Sequence, residues 1–272
     1  SPFAYSEGWN VFKNTFDAAL IVNTDIPDTT LVGAYVGNSM GVLNTNGLGI
    51  KEYGQMYTTD AYMATVQNKS IPMTTLTGTY YDVISAATAA WLDANVAGAD
   101  MPLGLLVGLQ GGTIMPNADG ATDTVAFGAK VGLKPIESLY LQVAYSSVDD
   151  GDAPITNLGT GIKSPLYTQM IYNQNAIAKD ASTIVAMASF DTGDFGKIIA
   201  QYGMTDAGDT GKTAGNVDND YDELDLIYKV KAGGVSYWAS VMMINTDNPG
   251  GIINAPGADS DTKLRLWGRY NF

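Results

Sequence analysis

The stretch that decides the fold lies at the C-terminal end of the sequence and reads Thr262-Lys263-Leu264-Arg265-Leu266-Trp267-Gly268-Arg269-Tyr270-Asn271-Phe272. One set of alternate side chains is mostly apolar and comprises Thr262, Leu264, Leu266, Gly268, Tyr270 and Phe272. The side chains between them are Lys263, Arg265, Trp267, Arg269 and Asn271. Because successive side chains of a β-strand point to opposite faces, the pattern predicts a strand with one apolar face and one cationic face.

The same alternation recurs along the chain. Upstream, one clear example has apolar side chains at every second position, separated by small or polar ones: Val125, Phe127, Ala129, Val131 and Leu133. We count thirteen segments of this kind, which begin near residues 16, 29, 61, 73, 86, 103, 123, 139, 182, 197, 223, 234 and 261. They predict an all-β protein.

The connectors between these segments alternate between short turns and mostly longer loops, with one short exception near Ser85. Strands of about ten residues with short turns at one end and long loops at the other are typical of a transmembrane antiparallel up-and-down β-barrel. A soluble β-sandwich is the alternative, since its strands alternate in a similar way. The barrel is favoured because many segments carry charge or glycine on the face that a sandwich would bury.

The composition excludes several kinds of chemistry. The 272 residues include no Cys and no His, and 28 acidic residues against 14 basic ones leave a formal charge of −14. Disulfides, thiolate or histidine metal sites and a Ser-His-Asp triad are therefore impossible, and we expect no enzyme activity. An acidic chain with only 14 scattered basic residues is also not expected to bind nucleic acid. The first residues contain no basic region followed by an apolar core, so no signal peptide is expected.

The end of the last predicted strand resembles the insertion signal of outer-membrane proteins. An aromatic strand that ends on Phe resembles the sequence that the barrel-assembly machinery reads, and the residues that carry this resemblance are Leu264, Leu266, Tyr270 and Phe272. The machinery is accordingly an expected partner.

A second resemblance lies at the N-terminal end, in the stretch Ser1–Ala19 followed by Val22–Leu31. It resembles the middle of a Campylobacter-type major outer-membrane porin, in which a loop leads into a strand, an acidic turn with proline and the next strand. The resemblance implies a homotrimer of 18-stranded barrels in the bacterial outer membrane, in contact with lipid and lipopolysaccharide. It makes residues 1–15 an extracellular constriction loop and residues 16–272 barrel strands with long loops. Since single-chain bacterial barrels have an even strand number, thirteen strands predict that about five N-terminal strands are absent from this sequence.

On this interpretation the polar face of the strands lines a pore. The predicted wall residues are Asp17, Asp93, Lys130, Lys197, Glu223, Asp225, Lys229, Lys231, Lys263, Arg265 and Arg269, and the predicted constriction-loop residues are Glu7 and Lys13. Charged side chains are costly towards lipid, so a water-filled lumen is their natural setting.

The function that follows is a general diffusion porin for ions and small hydrophilic solutes. More than half of the 28 acidic residues lie in the predicted long loops, which predicts a modest preference for cations, opposed by the basic wall. The alternative is a secreted or surface β-rich binding protein whose acidic loops hold Ca²⁺ or carbohydrate. An outer-membrane barrel enzyme is disfavoured because the chain has no His.

Two local predictions concern the loops. Asp218, Asp220 and Asp222 have the spacing that begins a calcium loop, but Glu223 stands where an EF-hand requires Gly. We therefore expect no cofactor, with these carboxylates as candidate Ca²⁺ ligands. Ser164 followed by Pro165 predicts a short helix over residues 164–172, which lines the pore mouth or packs locally.

Overall fold

The computed structural model describes residues 1–6, 15–39, 54–55, 60–98, 100–157, 163–208, 220–246 and 260–270. Within these ranges nearly all regular structure is β. The strands are β1 (Phe16–Asn23), β2 (Thr29–Ser39), β3 (Gly54–Gln55), β4 (Ala61–Asn68), β5 (Thr74–Val83), β6 (Ala87–Ala97), β7 (Leu106–Pro116), β8 (Thr124–Ile136), β9 (Leu139–Val148), β10 (Ala181–Asp191), β11 (Lys197–Ala207), β12 (Tyr221–Ala232), β13 (Val235–Thr246) and β14 (Ser260–Tyr270). Three short 3₁₀ helices span Pro102–Gly104, Asn173–Asn175 and Gly193–Phe195. No helix among the described residues is long and apolar enough to span a membrane.

The strands follow one another in the sheet in chain order, apart from the two-residue β3, which pairs with β2. The thirteen longer strands begin within three residues of the predicted positions, so the all-β, up-and-down prediction is confirmed. In the described part of the chain, β1 and β14 are the two ends of this order and are not paired with each other.

The alternation of short turns and long loops is also present, with the predicted exception at residues 84–86. A two-residue turn joins β12 to β13 through Gly233 and Gly234, whose φ angles are 58° and 79°. Two positive φ angles are the signature of a two-residue hairpin turn, and glycine adopts them without steric cost. The turn brings Ala232 directly opposite Val235 and so sets the register of both strands.

Large apolar side chains are exposed on one face of the sheet, whereas many side chains of the other face are buried or half-buried. In β8, Val125 and Phe127 are 50% and 52% exposed, while Thr124 and Ala126 are buried. In β14, Leu264 and Leu266 are 68% and 71% exposed. This arrangement is the inverse of a soluble sheet, in which the large apolar side chains would form the core. We call the face opposite the exposed apolar side chains the polar face.

The chain divides into two compact units. The first comprises Ser1–Val96, Gly108–Phe127 and Val148–Leu166, and the second comprises Ala97–Val107, Gly128–Ser147 and Tyr167–Phe272. A small cluster of Val36, Ala61 and Val83 is buried in the first unit, with Phe16 and Ala86 packed against it. In the second unit Ala176, Tyr221 and Ile244 form such a cluster, with Tyr172 packed against it.

The structure corrects the helix predicted for residues 164–172. Residues 163–172 form bends and turns, and the nearby 3₁₀ helix begins only at Asn173. The Ser164 hydroxyl accepts a hydrogen bond from the main-chain N–H of Leu166, which is a local turn rather than a helix cap. The N–H groups that would continue a helix are bound by side chains, as described below.

The faces of β1 also differ from the prediction. With Asp17 predicted on the pore wall, alternation predicts that Phe16 points outward, but Phe16 packs against the buried cluster of the first unit. The register shifts between Asp17 and Ala18, and beyond the shift Leu20 lies opposite the buried Ala34. Alternation along β1 therefore places Asp17 on the face of the exposed apolar side chains instead of the polar face.

Candidate functional site

The polar face of the second unit carries most of the predicted wall residues in cross-strand rows. Paired residues of neighbouring strands share a face, so the register of β11 to β14 defines these rows. Starting from the long-loop end, the rows are Gly203–Glu223–Ile244–Asp261, Gln201–Asp225–Met242–Lys263, Ile199–Ile227–Ser240–Arg265 and Lys197–Lys229–Trp238–Trp267, followed by Lys231–Ser236–Arg269.

These rows separate charge along the strands. The three acidic residues of the rows occupy the two nearest the long loops, and the basic residues begin at Lys263 and continue to the short turns. Where the two regions meet, Lys263 forms an ion pair with Asp261 at 2.5 Å.

Two tryptophans support the basic region. The Lys229 ammonium lies 4.3 Å from the ring centre of Trp238. The guanidinium groups of Arg265 and Arg269 lie 5.2 and 5.1 Å from the ring centre of Trp267, which stands between them in sequence. Each cation–π contact contributes about 0.5–1 kcal/mol at an exposed site. The cationic side chains are thus held against the wall rather than extended freely into solvent.

A loop segment crosses the polar face of the same unit, and we call Tyr167–Asn173 the crossing segment. The Tyr167 ring lies 3.9 Å from the ammonium group of Lys130 on β8, and the Thr168 hydroxyl hydrogen-bonds that of Ser146 on β9 at 2.5 Å. Met170 lies against Gly203 on β11, where its sulfur occupies the space that a Cβ atom would need. The segment is therefore seated on several strands.

Two carboxylates of β12 hold the middle of the crossing segment. Both oxygens of Glu223 accept the main-chain N–H of Tyr172, at 2.9 and 3.2 Å, and Asp225 accepts that of Ile171 at 3.3 Å. Tyr221 donates its hydroxyl to Glu223 at 2.8 Å, and the Gln201 amide donates to Asp225 at 2.6 Å. Glu223 and Asp225 are both 0% exposed. They lie on the polar face as predicted, but beneath the loop.

The polar face of the first unit is mainly neutral. Thr65 and Thr79 join their hydroxyls at 3.0 Å, and the Gln67 amide donates to Thr77 at 3.4 Å. Asp93 lies opposite Thr77 on this face and is half-buried. Hydroxyl and amide groups therefore dominate here, in contrast to the basic rows of the second unit.

The described part of the predicted constriction loop, residues 1–6, also lies on the first unit's polar face. Phe3 is fully buried, with its ring centre 5.5 Å from that of Tyr81 and 5.2 Å from that of Trp91 in edge-on geometry. Tyr5 accepts a hydrogen bond from the Asn157 amide at 2.9 Å and donates its hydroxyl to the carbonyl of Lys163 at 3.0 Å. Glu7 and Lys13 lie outside the described residues.

The apolar face carries tyrosines near both strand ends. Towards the long loops, Tyr35 donates to Asp60, and Tyr202 hydrogen-bonds Asp222. Towards the short turns, the Tyr228 hydroxyl donates to the carbonyl of Phe195. Aromatic side chains with an apolar body and a bonded polar tip are enriched at the two interfaces of a membrane.

The remaining predicted residues are placed as follows. Leu264, Leu266 and Tyr270 lie on the apolar face of β14, and Phe272 lies outside the described residues. Asp222 points to the apolar face of β12, away from Glu223. The described residues contain no group of three or more acidic side chains that could hold a metal ion, and Asp218 lies outside them.

Sequence reasoning did not identify the role of Glu223 and Asp225, nor those of Gly203, Trp238 and Trp267. A Glu-x-Asp pair on one face of a strand and a glycine within a strand were the available indications. Neither reveals a contact with a loop some fifty residues away.

The geometry defines a class of protein. A sheet of antiparallel neighbouring strands with a lipid-compatible apolar face, an interface belt of tyrosines and a charged opposite face is the wall of a transmembrane β-barrel. Comparisons with known proteins agree at the level of fold.

No family model and no curated protein matches the chain. Solved structures do match it: OccK3 (OpdO) of Pseudomonas aeruginosa has a TM-score of 0.77 at 16% identity, over 99% of this chain and 72% of its own. OccAB3 of Acinetobacter baumannii gives 0.77 at 15% identity, over 98% and 70% of the two chains. OccK10 (OpdN) of Pseudomonas aeruginosa gives 0.79 at 12% identity, over 98% and 76%. The chain therefore has the fold of outer-membrane β-barrel porins.

Proposed function

We propose that the chain forms the wall of a water-filled pore in the bacterial outer membrane and acts as a general diffusion porin for ions and small hydrophilic solutes. The observation that supports this most directly is the inverted sheet, with large apolar side chains exposed on one face and charged rows on the other. Lipid covers the first face, and water and solutes pass along the second. The chain is a channel and carries out no chemistry.

Closure of the wall requires more strands than this sheet contains. Unpaired backbone groups at the β1 and β14 edges would be costly in lipid, because no water is present to bind them. The thirteen long strands of the described residues are also an odd number, whereas a single-chain up-and-down barrel has an even number. We propose that further strands pair with both edges, within the 18-stranded total that the family resemblance implies.

The pore is proposed to favour cations modestly. Acidic residues lie in or beside the long loops, and their charge concentrates cations at the mouth by long-range attraction. The basic rows of the second unit oppose this preference. Burial of Glu223 and Asp225 removes two acidic side chains from the exposed wall, which keeps the preference small.

The proposed partners and relationships follow from the same setting. The chain contacts outer-membrane lipid and lipopolysaccharide, assembles as a homotrimer and is inserted by the barrel-assembly machinery. The Campylobacter-type porin relationship is supported by the N-terminal stretch alone. Binding of Ca²⁺ at Asp218, Asp220 and Asp222 is a further proposal that rests on their spacing alone.

Solute entry into liposomes tests the pore. The native protein, extracted with detergent and reconstituted, is expected to let liposomes swell in small sugars and amino acids and to exclude large oligosaccharides. Its mobility on gels should change on boiling, which shows that the barrel is folded. A folded protein that stays soluble without detergent and leaves liposomes impermeable would instead support a secreted binding protein.

A further inference from the structure

The crossing segment touches five strands of the second unit. Besides its contacts with β8, β9, β11 and β12, its Tyr172 ring lies 5.1 Å from the Lys263 ammonium on β14. A chain segment seated across the polar face occupies cross-section that would otherwise be open to solutes. The contacts that hold the segment against the polar face therefore help to set the cross-section that is open to solutes.

The segment keeps its own shape through Asn173, which is 1% exposed. The side-chain oxygen Oδ1 of Asn173 accepts the main-chain N–H of Met170 at 2.7 Å, and its side-chain Nδ2 donates to the main-chain carbonyl of Thr168 at 2.8 Å. These bonds close a compact turn and leave the next two N–H groups, those of Ile171 and Tyr172, directed at β12.

Glu223 and Asp225 each accept a hydrogen bond from one of those two N–H groups. They stand two residues apart on one face of a strand, and they accept from two consecutive main-chain donors of the segment. A hydrogen bond contributes about 0.5–1.5 kcal/mol net, and a buried donor left without its acceptor costs about 1–3 kcal/mol. Tyr221 and Gln201 orient the two carboxylates from the wall side.

Complete burial distinguishes these acidic side chains from pore-surface charges. At 0% exposure neither carboxylate presents a surface to a passing solute. A buried carboxylate is costly unless it is hydrogen-bonded, so the segment and the carboxylates stabilise each other. Their effect on solutes must therefore be indirect, through the position of the segment.

We propose that Glu223 and Asp225 are positioning residues that hold the crossing segment Tyr167–Asn173 against the wall and thereby limit the free cross-section of the pore. This inference rests on the proposed porin function. Lys130, Ser146 and Gly203 contact the segment on one side of β12, Lys263 contacts it on the other side, and the carboxylate pair holds its centre.

The first test replaces the acceptors without changing their size, in Glu223→Gln, Asp225→Asn and the double variant. A glutamine or asparagine offers one acceptor oxygen in place of two and adds a donor that faces the N–H groups. Single-channel conductance in planar bilayers should rise, by roughly 1.5-fold or more in the double variant, with more frequent switching between levels. The control is Asp194→Asn, which removes one negative charge from an exposed turn and should leave conductance unchanged.

The second test restores the position of the segment by other means. The chain has no Cys, so Ser146→Cys with Thr168→Cys introduces a single pair, at two side chains whose oxygens are 2.5 Å apart. Added to the Glu223→Gln and Asp225→Asn variant, the oxidised pair should bring conductance back to the native level, and reduction should raise it again. This rescue also shows that the variant barrel is folded.

The two proposals fail in different ways. If the native protein forms no channels, the porin function is wrong, and hydrogen exchange then tests the positioning role alone. Amides of residues 171–172 should be protected in the native protein and exchange at least several-fold faster in the double variant. Unchanged or lowered conductance, or unchanged exchange, in a folded double variant would overturn the positioning role.

Discussion

Gly203 has no side chain, and this leaves the space that Met170 of the crossing segment occupies. A Cβ atom at this position would overlap the sulfur of Met170 and lie 3.1 Å from a methyl carbon of Val185. Glycine within a strand lowers strand stability, so its presence here indicates a close approach by another part of the chain. Gly203 lies directly opposite Glu223 of β12, so the space that Met170 fills is next to the carboxylate pair.

Gly203→Ala is expected to displace the crossing segment from the polar face of β11. Met170 must shift to accommodate the new methyl group, which should lower the free energy of unfolding by about 1–2 kcal/mol through overpacking. Urea unfolding in detergent and hydrogen exchange of residues 167–173 measure the two effects.

Gly33→Ala is the matched control, since a Cβ atom there meets no other atom within 4 Å. It should leave both quantities unchanged or slightly raise stability, because alanine restricts the unfolded chain more than glycine does. Equal effects from the two substitutions would contradict the proposed role of Gly203.

Among the elements, β14 is one whose two faces could be predicted from the sequence alone. Its alternation predicted both faces correctly, since Leu264 and Leu266 are exposed while Arg265 lies opposite the buried Ser240. Period-two alternation is local, and a chain segment of ten residues expresses it fully. The strand starts could be predicted for the same reason.

Elements whose structure depends on distant contacts could not be predicted. The Ser164-Pro165 pair indicates a helix start, but the N–H groups of Ile171 and Tyr172 are bound by side chains of β12. The faces of β1 are the reverse of those predicted, because both sets of alternate side chains are largely apolar and pairing with β2 decides which set is buried. The polar faces were predictable at the candidate site, whereas the loop that covers them was not.

A charge on the apolar face of β14 should prevent assembly. Leu266→Arg places a guanidinium group where lipid is expected, at a cost of about 2–4 kcal/mol near the bilayer midplane. The fraction of protein that folds into lipid vesicles, measured by its heat-modifiable mobility, should fall strongly.

Leu266→Ala separates this effect from loss of the leucine side chain. Alanine removes apolar area but adds no charge, so most of the protein should still assemble. Normal assembly of Leu266→Arg would mean that this face of β14 does not meet lipid.

At the scale of the whole molecule, the distribution of charge links composition to transport. The net charge of −14 belongs largely to the long loops, and the basic residues of the second unit concentrate near the short turns. The apolar fraction that would form the core of a soluble protein lies on the exposed face of the sheet. The sequence is 46% apolar but only 15% charged, against about 25% charged in a typical soluble domain, and a lipid-facing surface explains this combination.

The acidic loops should produce a cation preference that depends on salt. With KCl at about tenfold different concentrations across a bilayer, the reversal potential should have the sign of modest cation selectivity. The preference should weaken towards 1 M salt, where the Debye length is only about 3 Å. A reversal potential that favours anions at low salt would show that the basic wall outweighs the loops.

The most direct test of the central claim is a single-channel recording of the native, detergent-extracted protein in a planar lipid bilayer. A sheet that faces lipid on one side and water on the other predicts discrete, long-lived conductance steps that increase in proportion to bulk salt conductivity. If folded protein, verified by its heat-modifiable mobility, inserts into the bilayer and produces no conductance steps, the chain does not form the wall of a pore.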